Sequence, residues 1–208
     1  MNKKYKEITG FILAGGDSKR MGVNKALLKV GNKTIIERSR DLMQNIFEKV
    51  FLSTNDFETY MFLNIPMIAD IYKNLGPLSG IHAGLVSSET NKIFFLSCDL
   101  PFMSEEMIRF ITEYKTARSI SISSAGGRDQ HLCGIYNKSL IPVIEDILRS
   151  SNNSENKNGK SSSSVKNLIL NTGAEIIEAD ILPFYKEDIY FNMNTIDDFE
   201  FIKKKILE

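Results

Sequence analysis

Ile8 to Lys25 reads ITGFILAGGDSKRMGVNK, and the junction in its middle sets the architecture of the chain. An apolar segment of strand length runs directly into the adjacent glycines Gly15 and Gly16, then through Lys19, Arg20 and Gly22 to Lys25. Such a segment reads as a buried strand, and a glycine-rich loop behind it offers bare backbone N–H groups to an anion. Two known phosphate loops do not fit. A dinucleotide fingerprint needs G-x-G-x-x-G, whereas Gly22 comes too late for that turn. A P-loop needs G-x-x-x-x-G-K-S/T, whereas from Gly16 the next glycine is one position too far and Val23 follows it. Two readings remain: a wide turn in which Lys19, Arg20 and Lys25 neutralise the phosphates of a triphosphate, or a solvated surface loop with incidental charge.

Downstream, strands and helices alternate. The apolar positions Ile35, Ile36, Leu42, Met43, Ile46, Phe47 and Val50 recur at helical spacing, and Thr34 with Glu37 has the form of a capping box. KVFLST ends at Asn55 as a strand, PMIAD ends at Asp70, and a GPLSG turn opens onto IHAGLV. IFFLSC ends at Asp99, and after the DLPF turn Ser104 can cap a helix carrying Met107, Ile108 and Ile111. The weaker strands SISIS and LCGIY come next, then VKNLIL, EIIEAD and a last amphipathic helix carrying Ile196, Phe199, Ile202 and Ile206. This alternation predicts a three-layer α/β domain whose mostly parallel sheet is covered on both faces. Ligands of such sheets sit at the carboxyl ends of the strands. The Gly15 loop, Asn55, Asp70 and Asp99 each follow a strand and are therefore expected on one edge. The tract SSNNSENKNGKSSSS, Ser150 to Ser164, is almost wholly polar and reads as a mobile loop, because it buries too little to offset its ordering entropy.

Composition narrows the function classes. With 208 residues, 42% of them hydrophobic, one sizeable core is expected, and with it a single domain over 1–208. Lys plus Arg and Asp plus Glu both total 26, so no overall field selects nucleic acid or an anionic membrane as partner. Cys98 and Cys133 are too few for a disulfide framework and form no C-x-x-C pair, and no apolar run is long enough for a signal segment or a membrane span. A cytoplasmic setting is expected.

Four motifs in order carry a resemblance: Leu13-Ala14-Gly15-Gly16 with Arg20-Met21-Gly22 and Lys25, then Gly76-Pro77-Leu78-Ser79-Gly80, then Cys98-Asp99-Leu100-Pro101, then Phe191-Asn192-Met193-Asn194-Thr195. From Ile8 to about Phe201 the chain resembles the molybdenum cofactor guanylyltransferases. That resemblance implies a Rossmann-like nucleotidyltransferase fold, with a nucleotide-binding half at about 1–115 and an acceptor-binding half at about 116–208. It implies transfer of GMP from GTP to the terminal phosphate of molybdopterin, with Mg²⁺ as cofactor. Molybdenum-insertion and molybdoenzyme maturation proteins are the implied partners.

Carried over by position, the resemblance implies that Leu13, Ala14, Gly15 and Gly16 face the nucleoside and that Arg20 and Lys25 hold the triphosphate. Asn55, Asp70, Gly76, Pro77 and Leu78 fall on nucleotide-contacting positions, and Asp99 on that of the magnesium ligand. A carboxylate at a strand end suits a cation that takes oxygen ligands. Local readings stand beside these: Asn55, Asp70 and Asp99 as turn residues, and Gly76-Pro77 as a plain helix start. Asn192 and Asn194 fall on acceptor-binding positions, although Asn194 or Thr195 could simply cap the last helix. His131 could contact an acceptor phosphate, with structural use as its alternative. Two positions depart from the family pattern: Asn24 stands where aspartate commonly precedes the lysine, and Ile196 where proline often follows Asn-Thr.

Overall fold

A computed structural model describes residues 3–14, 24–153 and 164–208. The strands are β1 (Ile8–Leu13), β2 (Lys29–Val30), β3 (Lys33–Thr34), β4 (Val50–Ser53), β5 (Met67–Ile68), β6 (Lys92–Ser97), β7 (Ile120–Ala125), β8 (Arg128–Asn137) and β9 (Glu175–Glu178). The α-helices are α1 (Ile35–Ile46), α2 (Phe57–Tyr60), α3 (Pro77–Ser87), α4 (Glu105–Glu113), α5 (Ile141–Asn153), α6 (Val165–Thr172) and α7 (Ile196–Leu207). Seven strands form one sheet in the order β5-β4-β1-β6-β8-β7-β9, and β2 pairs with β3 in a separate hairpin. Within the large sheet β8 runs antiparallel to both of its neighbours, and the remaining pairings are parallel.

Side chains alternate between the two faces along each strand. In β1 and β6, Ile8, Ile12, Phe94 and Leu96 join a core cluster with α1 and α4 residues such as Met43, Ile46, Met107 and Ile108. The intervening Phe11, Leu13, Ile93 and Phe95 pack with Leu78, Ile81, Ile144, Leu148 and Leu168 of α3, α5 and α6. Both faces are thus apolar, which is why these strands read as unbroken hydrophobic runs. Each fully buried Leu, Ile or Phe contributes roughly 1.5–3 kcal/mol of transfer free energy.

Local signals hold where expected. Thr34 caps α1 in a complete capping box, with the Glu37 carboxylate accepting the Thr34 backbone N–H at 2.7 Å. Donation from that N–H, and from the Thr34 hydroxyl, holds the Glu37 carboxyl below the usual carboxylate range. Ser104 caps α4 by accepting the Met107 N–H at 3.2 Å.

Several elements differ from the sequence reading. Helix α1 ends at Ile46 with Phe47 as its cap, so Val50 opens β4 and does not extend the helical stripe. Helix α3 begins at Pro77, inside the GPLSG segment rather than after it. Helix α5 has no counterpart in the sequence reading, and it runs into the polar tract as far as Asn153. Its Ser151 is buried, with the hydroxyl donating to the Ile147 carbonyl at 2.8 Å. At the other end of the tract Ser164 caps α6 by accepting the Asn167 N–H. The expected mobile loop over 150–164 is therefore helical in its first residues and a helix cap at its last; residues 154–163 lie outside the described residues. Among the described residues no helix is long and apolar enough to cross a membrane.

Candidate active site

The strand register builds the site. Leu13 of β1 is the in-register neighbour of both Ser53 of β4 and Ser97 of β6, and Ser53 in turn is the neighbour of Ile68 of β5. Two residues beyond Ser53, Ile68 and Ser97 come Asn55, Asp70 and Asp99, so parallel pairing brings these side chains to one edge. Backbone bonds extend the pairing past the strand ends: Ala14 N–H to the Ser53 carbonyl, Thr54 N–H to that of Ile68, and Cys98 N–H to that of Leu13. Leu13 and Ala14 therefore lie on this edge as well. Gly15, Gly16, Lys19 and Arg20 fall outside the described residues.

Asn55 and Asp70 bind each other. The Asn55 amide donates to Asp70 Oδ2 at 3.0 Å, and the Asp70 backbone N–H donates to Asn55 Oδ1 at 3.0 Å. Burial pushes the Asp70 carboxyl above its ordinary range, and the Asn55 donor only partly opposes this. The start of α3 comes close to the same place. Gly76 is its N-cap at φ 78°, a conformation that favours glycine, and Pro77 takes the first helical position, where its missing N–H costs nothing. Leu78 buries its side chain, while Gly76 and Pro77 before it are exposed. A Cβ on Gly80 would meet Ser53 Oγ at 2.7 Å, Leu13 Cδ2 at 3.2 Å and Asp70 Oδ1 at 3.6 Å. The absence of a side chain at position 80 lets the helix start reach Leu13 and Asp70. GPLSG is thus a helix start, and it also lies against the strand edge that carries Leu13, Asn55 and Asp70.

Lys25 and Asp99 meet through Met193. The Lys25 ammonium donates to the Met193 carbonyl at 3.2 Å, and the Met193 N–H donates to the Asp99 carbonyl at 3.0 Å. Met193 is itself buried, which fixes the bridge. Both charges act on the neighbouring Cys98: burial and the Asp99 carboxylate push its thiol up to about 12, while Lys25 pulls the other way. Asp99 Oδ1 is buried without a hydrogen-bond partner among the described residues. A buried carboxylate oxygen left open is a suitable ligand for a hard cation, so Asp99 fits the metal position. No group of three or more His, Cys, Asp or Glu side chains that could hold a metal occurs among the described residues.

Asn192 and Asn194 lie on either side of Met193, so the two asparagines expected to meet the acceptor adjoin Lys25 and Asp99. Thr195, not Asn194, caps α7, in a capping box with Asp198, whose Oδ2 accepts the N–H groups of Asn194 and Thr195 at 2.7 Å each. Among the described residues the Asn194 side chain has one long contact, 3.5 Å to the Asn192 carbonyl. His131 is not joined to this group. It lies on β8, where its Nε2 is 3.9 Å from Asp129 Oδ2 and its carbonyl accepts the Tyr136 hydroxyl at 2.6 Å. Burial lowers its pKa, against the opposing pull of Asp129. A cavity of about 410 Å³, lined by residues including Thr9, Lys49, Val50 and Glu89, opens at the amino ends of the strands and includes none of the site residues.

Met193, whose backbone joins Lys25 to Asp99, is the position at this edge that sequence reasoning missed. An apolar residue between two asparagines carries no chemistry of its own, and its contacts run through the backbone, so nothing in the sequence marks it.

Comparison with known proteins gives the site a family context. Residues 10–161 match the family model described as MobA-like NTP transferase domain. A Carboxydothermus hydrogenoformans protein named "Probable molybdenum cofactor guanylyltransferase" is 35% identical over 205 residues, covering 95% of this chain and 95% of its own length. The crystal structure of the molybdopterin-guanine dinucleotide biosynthesis protein A from Archaeoglobus fulgidus is similar in fold, with a TM-score of 0.78 at 18% identity over 96% of this chain and 98% of that one. A Mycobacterium tuberculosis protein solved in complex with manganese is also similar, with a TM-score of 0.66 at 15% identity over 96% of this chain and 98% of that one.

Proposed function

As a chain that belongs to the MobA-like NTP transferase domain family, this protein is a nucleotidyltransferase, and we propose that it transfers GMP from GTP to the terminal phosphate of molybdopterin. The observation that carries this reading is the Lys25–Met193–Asp99 bridge, which joins the glycine-loop end, the β6 end and the Asn192–Asn194 segment at one point. In this reading the bridge is where the triphosphate and the acceptor phosphate come together.

In the proposed reaction an oxygen of the acceptor's terminal phosphate attacks the α-phosphorus of GTP. A new phosphorus–oxygen bond forms, the bond from the α-phosphorus to the bridging oxygen breaks, and pyrophosphate leaves with that electron pair. The substrate brings its own nucleophile, so the chain needs no activated Ser, Cys or His. Its task is to align the reactants and stabilise charge as it develops. Lys25 supplies a mobile ammonium to the phosphates, and Arg20 is assigned to the same triphosphate. Leu13, Ala14, Gly15, Gly16 and the Gly76-Pro77-Leu78 backbone face the nucleoside, with Asn55 and Asp70 beside it. Asp99 would hold a divalent cation, Mg²⁺ in this proposal, which would neutralise phosphate charge when bound. Asn192 and Asn194 can donate to and accept from a pterin ring, and His131 is the more distant acceptor candidate. We place the reaction in the cytoplasm, upstream of molybdenum-insertion and molybdoenzyme maturation proteins.

The test is pyrophosphate release from GTP or CTP with Mg²⁺ and molybdopterin, combined with thermal protection by each nucleotide. GTP should support release, and Mg²⁺ with GTP should raise the melting temperature more than Mg²⁺ with CTP, because ligand at a hundredfold over Kd adds about 2.7 kcal/mol. Equal or reversed protection overturns the choice of GTP. Protection without release from any nucleotide would make the chain a non-catalytic binding module.

A further inference from the structure

We infer that Tyr60 is a positioning residue for Lys25, acting through the side-chain amide of Asn24; this rests on the proposed transfer reaction. Lys25 opens a single 3-10 turn, Lys25–Leu27, whose cap is Asn24. Asn24 Oδ1 accepts the Ala26 N–H at 3.1 Å, which leaves Nδ2 to donate outward, and it donates to the Tyr60 hydroxyl at 2.9 Å. The hydroxyl also lies 3.3 Å from Asn24 Oδ1, so the contact survives either orientation of its proton.

Tyr60 is a fixed point. It ends α2, is 4% exposed, and packs in the core with Ala26, Leu63 and Leu100. Its ring is held by apolar neighbours, and its one side-chain polar atom is aimed at Asn24. Burial, opposed by the Asn24 amide, raises its pKa, so the hydroxyl stays protonated through neutral pH. Cys98, next to Asp99, lies near enough to contribute to that rise. Helix α2 follows Asn55 closely, with Asp56 as its cap. The Asn24–Tyr60 contact therefore ties the lysine turn to the segment that carries Asn55.

The geometry assigns two anchors to Lys25, one at its backbone and one at its ammonium, where Met193 accepts. A flexible four-carbon side chain reaches a phosphate reproducibly only if its Cα is held, and a small displacement at a reacting centre is costly. Asn24 is uncharged, so this hold adds no carboxylate beside the triphosphate. Aspartate could serve the same hold, because a carboxylate accepts from both the Ala26 N–H and the Tyr60 hydroxyl.

The experiment measures kcat and KM for GTP, with Mg²⁺ and molybdopterin, in the full chain and in Tyr60→Phe, Asn24→Ala, Asn24→Asp, Lys25→Ala and the double variant Tyr60→Phe/Lys25→Ala. Tyr60→Phe should lower kcat about tenfold, with the KM for GTP within about twofold and the melting temperature unchanged. Asn24→Ala should reproduce that loss from the surface side of the contact, and it gives the reading if Tyr60→Phe melts early. Asn24→Asp should recover most of the turnover that Asn24→Ala loses. In the Lys25→Ala background Tyr60→Phe should cost nothing further, the non-additivity expected of residues acting as one unit. An unchanged kcat in both Tyr60→Phe and Asn24→Ala overturns the inference, as does an equal loss with and without Lys25. A wild-type chain that releases no pyrophosphate overturns the reaction itself, and this role with it.

Discussion

Asn55 and Asp70 exchange two hydrogen bonds of 3.0 Å across the ends of adjacent parallel strands, amide to carboxylate one way and backbone N–H to amide oxygen the other. The pair locks β4 to β5 beyond their last paired residues and holds a carboxylate against the start of α3. Its cost is read in the carboxyl's raised pKa, caused first by burial.

Asp70→Asn should therefore raise stability at neutral pH while weakening GTP binding. The sign follows from linkage: a carboxyl whose folded pKa lies above its unfolded value binds more protons when folded, so its contribution is fully present below the unfolded value, near 3.8, and is lost as pH rises through the folded value. The variant escapes that loss. Its melting-temperature advantage should grow from acid toward neutral pH and shrink again on acidification. A variant less stable than wild type at pH 7, with no trend in pH, would show that the ionised Asp70 stabilises the fold.

Asp99→Asn tests the open oxygen. The substitution conserves shape and leaves the backbone bond between Asp99 and Met193 in place, so melting should change little. An amide is a far poorer ligand for a hard cation than a carboxylate, and turnover should fall by about a hundredfold or more. Manganese titration by magnetic resonance reads the same loss without turnover. Tight manganese binding in the variant would place the cation elsewhere.

Gly80→Ala should strain the site from the helix side. Its Cβ would fall 2.7 Å from Ser53 Oγ and 3.2 Å from Leu13 Cδ2, the ends of two buried strand side chains that must turn or shift to admit it. Overpacking of this kind costs about 1–3 kcal/mol, and in a chain of this size each kcal/mol lowers melting by about 2–4 °C. Because the clash pushes the start of α3 away from Leu13 and Asp70, the KM for GTP should rise more than kcat falls. A variant with wild-type melting and KM would mean that α3 can move without consequence.

The parts of this molecule visible in its sequence are those set by local chemistry. Buried parallel strands print continuous apolar runs, and capping residues print their side chains, so β1, β4, β6, Thr34 and Ser104 can be read directly. Parallel strands also share one carboxyl edge, which places Asn55, Asp70 and Asp99 together from the sequence alone. Pairing direction is different. The antiparallel course of β8 depends on its neighbours in space, and LCGIY says nothing of it. Helix α5 carries its own signal, Ile141, Ile144, Ile147 and Leu148 at helical spacing, but the low-complexity polar tract that begins at its last turn hides it from a sequence reading. The hydrogen bonds from Lys25 to Met193 and from Asn24 to Tyr60 span 168 and 36 residues, and nothing local records them.

Lys25 carries the final prediction, because its ammonium already has a partner, the Met193 carbonyl, and must trade or share it when phosphates arrive. A neutral carbonyl is a weaker partner than a phosphate oxygen, so the exchange is favourable and leaves the side chain aimed from the start. If the contact strengthens as charge develops during transfer, Lys25→Ala should lower kcat at saturating GTP by about a hundredfold, or ~3 kcal/mol. A lysine serving only as a surface charge would cost about 1 kcal/mol or less and leave kcat intact. Lys25→Arg should recover part of the activity, since a planar guanidinium keeps the charge but displaces it from where a compact ammonium sits. Melting should be nearly unchanged in both variants, because one bond from a part-buried ammonium to a carbonyl is worth little to the fold. Full turnover in Lys25→Ala at unchanged melting would remove this lysine from the reaction and leave the end of the glycine loop a surface turn.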